Sequence, residues 1–471
     1  MESFKAMSKR QLERLVAQLI EQLKVANARI AQLEAEVADL KARLARNSTN
    51  SSKPPSTDPP ALTRTETKPT GRNPGGQPGH SKHERRYLEP NQVVEVRPQT
   101  CGCCGKALQG DDPEPERHQV IEVPNVNPDV TDYLLHSLCC PCGALTRAQL
   151  PPGVPLRGYG PKLCAVISLL TGGYRLSKRM TKALVSDLLG IEISLGSIPN
   201  LEQEMSAALW APVREAAEHI REQPKVNLDE TGWYQGRENG RAGRAWLWVA
   251  VTTFVTVFKI ARSRGAEIAK EILGTDYQGI VGSDRWSGYV WVDPICRQLC
   301  WAHLIRDFQA MVDRGDAGSQ YGTALLAQTQ KMFEWWSQVR DGNLGRITFM
   351  LRMAPVRREI LWLLAKAEIC PAPKTAGIAK QILKLEEALF TFVDCEGIEP
   401  TNNVAERTVR HAVLYRKVCF GTQGEAGSRY VERILTVVAT LRQQGRNVLD
   451  FLSAAYSAKL THSQPPSLLP L

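Results

Sequence analysis

The sequence predicts a multidomain α/β protein, on three observations. An unbroken heptad seam opens the chain, two cysteine blocks follow, and from Val226 onward short apolar runs with strand character alternate with helical patterns. At 471 residues the chain is too long for one ordinary core. Its 59 Lys and Arg against 49 Asp and Glu leave a formal charge of +10, which favours a polyanionic partner. No apolar run reaches the ~18 residues of a membrane span, and the first ten residues lack a signal-peptide core, so a cytoplasmic protein is expected. In that compartment twelve cysteines point to thiols or metal ligands rather than disulfides.

Apolar residues at Leu12, Val16, Leu19, Leu23, Ala26, Ile30, Leu33, Val37, Leu40 and Leu44 step alternately by four and three. Charged residues such as Glu21, Lys24, Glu34 and Lys41 flank them. A sustained period of about 3.5 predicts a coiled coil over 10–46, through which copies of the chain would assemble. Residues 47–90 form a linker: Asn47 to Ser56 is rich in Ser, Asn and Pro, with almost nothing to bury. Gly75-Gly76-Gln77-Pro78-Gly79-His80, followed by His83, Arg85 and Arg86, is a glycine-rich basic turn or a solvated loop.

Residues 91–150 carry Cys101-Gly102-Cys103-Cys104-Gly105 and Cys139-Cys140-Pro141-Cys142-Gly143. In a Cys-x-x-Cys-Gly knuckle the glycine lets the backbone turn tightly, so that two thiolates converge on one ion. Cys101, Cys104, Cys139 and Cys142 are the expected ligands of a structural Zn²⁺, with Cys103 and Cys140 as possible substitutes. Alternating apolar residues between Arg117 and Leu135 predict the short strands of a zinc ribbon. Residues 155–221 read as helices, including one from Leu201 to Arg221. A helix-turn-helix with Arg175, Lys178, Arg179 and Lys182 toward phosphates is one reading, plain helix packing the other.

The core begins at 222. Val226 to Thr231 is a strand, with hairpin strands Ala245–Val251 and Phe254–Ile260 after it. A helix over Arg264–Leu273, a strand over Gly279–Asp284, a strand over Arg297–Cys300 and a helix over Ala302–Val312 follow. This order is ribonuclease-H-like, and it sets the first strand beside the one after the first helix. Asp229 and Asp284, at the ends of those strands, would then face one site. Residues 313–395 read as a helical insertion. Residues 396–455 resume the core with a capped helix start at Thr401 to Arg407, and 456–471 are a tail. Carboxylates on neighbouring strands suit hard cations such as Mg²⁺. Spacing does not choose Glu406 over Glu396, Glu399 or Glu425 as a third acid.

Six motifs make that choice. Asn47 to Ser56, Gly75 to His80, the paired knuckles, Asp229-Glu230-Thr231-Gly232-Trp233, Cys300-Trp301-Ala302-His303-Leu304-Ile305-Arg306-Asp307 and Asn402-Asn403-Val404-Ala405-Glu406-Arg407 occur in an order that resembles transposases of the insertion sequence 66 family. The resemblance spans nearly the whole chain. It implies a DDE-type enzyme in which Asp229, Asp284 and Glu406 bind two Mg²⁺ or Mn²⁺ ions for DNA strand cleavage and transfer. It implies as well an N-terminal leucine zipper, a zinc-binding module and a ribonuclease-H-like core broken by an insertion. His303 and Arg306 would contact the scissile phosphate or a DNA strand, unless His303 is simply packed; Arg407, Arg410, Arg416 and Lys417 would hold flanking phosphates. The expected partners are the element's terminal inverted repeats, target DNA, further copies of the chain and small accessory proteins, with no membrane, in a bacterial cytoplasm at the nucleoid. Two rivals remain: a non-catalytic zinc-containing DNA-binding regulator, and a nuclease of the same core that cleaves without joining.

Overall fold

The computed structural model describes residues 9–45, 87–236 and 243–470. The chain divides into two units, Thr63–Val130 and the remainder. The expected linker from 47 to 86, with Gly75 to His80, His83, Arg85 and Arg86, lies outside the described residues.

Helix α1 (Lys9–Leu44) is continuous, and the side chains of its seam, from Leu12 to Leu44, are exposed. In the unit Thr63–Val130, the first knuckle closes a turn: Cys101 N donates to Lys106 O at 2.8 Å and Gly105 N to Cys101 O at 2.9 Å. Gly105 sits at φ +69°, a region open to glycine. The second knuckle, in the other unit, repeats the design between β1 (Ser137–Cys139) and β2 (Leu145–Arg147). There Cys140 N donates to Ala144 O and Gly143 N to Cys140 O, both at 2.8 Å, with Gly143 at φ +86°. The strands expected between Arg117 and Leu135 do not form. Val120, Ile121, Val123 and Val130 are exposed there, whereas the ladder appears where the knuckle itself brings two arms together.

Helix α2 (Pro161–Ser168) runs into a π turn over Leu169–Gly173, and α3 (Lys178–Leu189) follows, capped by Ser177. The single helix expected over 201–221 is two, α4 (Ser197–Ala208) and α5 (Trp210–Arg221). Pro212 explains the break, since it has no N–H to give to Ala208 and its ring crowds that carbonyl.

The sheet comprises β3 (Lys225–Tyr234), β4 (Arg244–Val251), β5 (Thr256–Ala261), then α6 (Ala266–Leu273), β6 (Ile280–Ser283) and β7 (Arg297–Leu299). Its order is β5-β4-β3-β6-β7, with the first three antiparallel and β6 and β7 parallel to β3. Helix α7 (Trp301–Asp313) leaves β7. The next segment, α8 (Ser319–Arg340), α9 (Arg346–Glu368), α10 (Pro373–Leu383) and the short α11 (Thr391–Asp394), packs with α7 in a second core built around Trp336, Phe349 and Phe392.

The chain returns as α12 (Asn403–Cys419), α13 (Glu425–Gln443) and α14 (Val448–Thr461). Helix α13 covers the open edge of β5. Thr440 and Thr436 hydroxyls accept from Thr256 N (3.1 Å) and Phe258 N (3.0 Å), and the Glu432 carboxylate accepts from Ile260 N. Two strand residues advance about 6.8 Å and four helical ones about 6 Å, so a side chain every helical turn meets every free edge N–H. The edge therefore presents no unpaired row to another strand. Gly172 is a close approach, because a Cβ there would lie 2.5 Å from Ile434 on α13.

Candidate active site

Alternation along β3 sets Val226, Leu228 and Glu230 on one face and Asn227, Asp229 and Thr231 on the other. In the parallel pairing, Asn227 lies opposite Gly282. Continuing that register by two residues brings Asp229 level with Asp284, which follows the end of β6. Gly282 permits this pairing, since a Cβ on it would stand 2.4 Å from the Asn227 amide.

Glu406 arrives on the first turn of α12, and Asn402 fixes where that helix starts. The Asn402 amide donates to Leu228 O (2.6 Å) and accepts from Asn227 Nδ2 (2.8 Å), while its backbone N–H donates to the Cys300 sulfur (3.1 Å). One buried side chain thus ties the Asp229 strand to the Glu406 helix, and its backbone ties both to the start of α7. Burial raises the Asp229 carboxyl well above the usual carboxylate range, and the charges of Glu230, Asp284 and Glu406 push it further. The three predicted acids are therefore close enough to repel.

Asp284 is held from below. Its Oδ1 accepts from Trp286 N (2.8 Å), and its carbonyl from the fully buried Arg297, whose Nε also donates to Ser283 Oγ (3.0 Å). Burial lowers that guanidinium to about 10. Glu230 points away from the acids. Arg264 Nε donates to its Oε1 (2.8 Å) and the Tyr289 hydroxyl to its Oε2 (2.5 Å).

Three side chains from the start of α7 surround Glu406. Its Oε1 lies 3.7 Å from Cys300 Sγ, 3.3 Å from His303 Nδ1 and 4.0 Å from Arg306 Nη2. Burial pushes the Cys300 thiol up to about 11. Burial, and then Arg306, lower His303 below its ordinary value, and its buried Nδ1 has no hydrogen-bond partner. Cys300, His303 and Glu406 present ligand atoms within 4.8 Å of one another.

The predicted DNA-contact residues divide. His303 and Arg306 adjoin Glu406, and Arg407, Arg410 and Lys417 are exposed on α12. Arg416 is turned inward, donating to Gly232 O with Thr231 Oγ1 at 3.5 Å. Near α3, Lys178 pairs with the buried Glu202, Arg175 takes a left-handed φ of +63°, and Arg179 is exposed. Sequence reasoning missed Asn402 as a positioning residue and gave Cys300 no role. The Cys300-x-x-His303 spacing, which puts both on one helical face, was the available signal for the latter.

Residues 159–430 match the family described as "Transposase IS66 family", and residues 5–86 match a family of unknown function. Two curated relatives come from Sinorhizobium fredii. The uncharacterized protein y4qI is 25% identical over 295 residues, covering 56% of this chain and 53% of its own length. The uncharacterized protein y4hP is 24% identical over 390 residues, covering 75% of this chain and 69% of its own. The chain thus spans about half the length of the first of these relatives.

Proposed function

Because the chain belongs to the IS66 transposase family, we propose that it is a DNA transposase of DDE type, whose ribonuclease-H-like core cleaves element ends and joins them to target DNA. The observation that carries this reading is the strand register that brings Asp284 level with Asp229, together with the Asn402 bonds that tie the start of the Glu406 helix to the same strand. The donor set fits Mg²⁺ or Mn²⁺: three carboxylates offer hard oxygens, and their mutual repulsion is what a dication relieves. When bound, two such ions supply charge for activating the attacking oxygen and stabilising the leaving one.

The protein's own groups do the positioning. β3 and β6 hold Asp229 and Asp284 side by side, and Asn402 sets the height of Glu406. His303 and Arg306 face the same space and would meet the scissile phosphate. Arg407, Arg410 and Lys417 would hold flanking phosphates along exposed α12. Water is the nucleophile for cleavage and a DNA 3′-hydroxyl for joining. Helix α1 would pair copies of the chain along its exposed seam.

Cys101, Cys104, Cys139 and Cys142 would bind structural Zn²⁺. Both knuckles have the required turn, and backbone N–H groups stabilise the thiolates of Cys101 and Cys142, lowering both from the usual thiol value.

Incubating the chain with a labelled element end and target DNA in Mg²⁺ tests the reading. Joined product is expected. Cleavage without joining would indicate a nuclease, and binding without chemistry a regulator. Chelating zinc should damage folding or DNA binding of the region around residues 101–143 without removing a catalytic ion.

A further inference from the structure

We propose that Cys300, His303 and Glu406 form a second kind of metal site, one that takes a single thiophilic dication of the Zn²⁺ class and, when filled, occupies a Glu406 oxygen that the Asp229 and Asp284 site would otherwise share. The proposal rests on the DDE reading for its consequence, but not for the site itself.

The donor set is sulfur, imidazole nitrogen and carboxylate oxygen, a combination that suits Zn²⁺ far better than Mg²⁺. The geometry is close to a preformed one. Tetrahedral Zn²⁺, with bonds of about 2.3 Å to sulfur and about 2.0 Å to nitrogen and oxygen, separates oxygen from nitrogen by roughly 3.3 Å and oxygen from sulfur by roughly 3.5 Å. Glu406 Oε1 lies 3.3 Å from His303 Nδ1 and 3.7 Å from Cys300 Sγ. The His303 Nδ1 atom is buried without a hydrogen-bond partner, an orphan that a metal would satisfy. Cys300 stands at the N-cap position of α7 with its sulfur accepting from Asn402 N–H at 3.1 Å, and both the helix end and that donor favour a thiolate once its proton has left for solvent. Three protein ligands leave a fourth position open to water or a phosphate oxygen.

One group opposes binding. Arg306 Nη2 stands 4.0 Å from the same carboxylate oxygen, so its guanidinium has to swing away as the ion enters. The two uses of Glu406 then compete. A carboxylate whose Oε1 is bound to a dication beside Cys300 and His303 has less charge to give the Asp229 and Asp284 site, and zinc acts as an inhibitor competing with Mg²⁺ through a shared ligand.

The test uses the full-length chain. Titration with Co²⁺ as a spectroscopic probe, and with Zn²⁺ by calorimetry, is compared between the parent chain and Cys300→Ser and His303→Gln, each checked for folding by circular dichroism. The knuckle cysteines are common to all three proteins, so the difference reports this site. The expected result is one fewer metal equivalent in Cys300→Ser, with loss of one increment of thiolate-to-cobalt absorption, and at least about tenfold weaker binding at that site in His303→Gln. Arg306→Gln should bind more tightly. Identical stoichiometry and spectra in parent and Cys300→Ser would overturn the proposal.

Strand-transfer activity, expressed relative to each protein's own activity in Mg²⁺ alone, should fall with added Zn²⁺ in the parent and become several-fold less sensitive in Cys300→Ser. Equal sensitivity would overturn the competition. Asp229→Asn separates the two readings: it should keep the extra equivalent while losing DNA chemistry. An Asp229→Asn protein that still joined DNA would sink the DDE assignment and leave the metal site standing.

Discussion

The two faces of β3 carry consecutive carboxylates that the fold treats in opposite ways. Burial raises both Asp229 and Glu230, and the charge of Asp284 adds to each. Glu230 is answered by the Arg264 guanidinium and the Tyr289 hydroxyl, which lower it again. Asp229 accepts a backbone hydrogen bond from Glu230 N at 2.9 Å and otherwise meets the charges of other acids. An acid provided with a cation and a donor is part of the scaffold. Acids gathered against one another carry a repulsion that a bound proton or a cation from outside the chain would relieve.

The largest effect should come from Asp229→Asn. Strand transfer should fall at least about a thousandfold, because a neutral amide replaces one of the three proposed metal ligands. Stability should move the other way. The folded value of Asp229 lies above its ordinary one, so the folded state binds the proton more tightly. Its cost to folding grows as pH rises from the ordinary carboxylate range to the folded value, and persists above it. At neutral pH without divalent ions, calorimetry should therefore give Asp229→Asn a melting temperature equal to or above that of the parent. Added Mg²⁺ should raise the parent's melting temperature and not the variant's. A lower melting temperature in the variant would place Asp229 with Glu230 among the scaffold acids.

Asn402→Ala comes next. It removes the side-chain bonds to Leu228 O and Asn227, leaving buried partners unsatisfied, at a cost of about 2–4 kcal/mol. The start of α12 should loosen with it, lowering kcat about 10- to 100-fold by misplacing Glu406. Full kcat in a destabilised variant would show that Glu406 is positioned by something else.

Asn402 also marks how far the sequence could be read. The strand bearing Asp229 is legible from its apolar run, and the place of Asp284 follows from strand order. Glu406 is not, because five helices, α7 to α11, with a core of their own separate it from the sheet, and periodicity inside that core says nothing about where the chain returns. Only the six-motif resemblance, of which Asn402 to Arg407 is one part, bridged the gap. Residues 117–135 misled for the opposite reason. Their alternation is genuine, but a strand needs a partner, and those apolar side chains stay exposed. The inward turn of Arg416 is equally invisible in sequence, since three arginines and a lysine lie within a stretch of eleven residues of α12 and only packing decides which face is wet.

Glu230→Gln should cost about 1–3 kcal/mol, because Arg264 is partly exposed and can rehydrate when its partner goes. Activity should stay within about tenfold of the parent, measured at a temperature where both are folded. A loss as deep as that of Asp229→Asn would make Glu230 a fourth active-site acid and erase the contrast between the faces.

The smallest effects carry the same contrast onto α12, whose Arg416 and Lys417 are adjacent in sequence and opposite in setting. Arg416 donates to Gly232 O on the strand that bears Asp229, so Arg416→Ala should appear as a loss of about 1–2 kcal/mol in denaturant unfolding. Lys417 is exposed, and Lys417→Ala should leave unfolding unchanged. Its effect should be a several-fold loss of DNA affinity, uniform across sequences, with the dependence of log Kd on log salt shallower by about one. If Lys417→Ala left the salt slope untouched while Arg416→Ala flattened it, the inward arginine rather than the exposed lysine would be the phosphate contact.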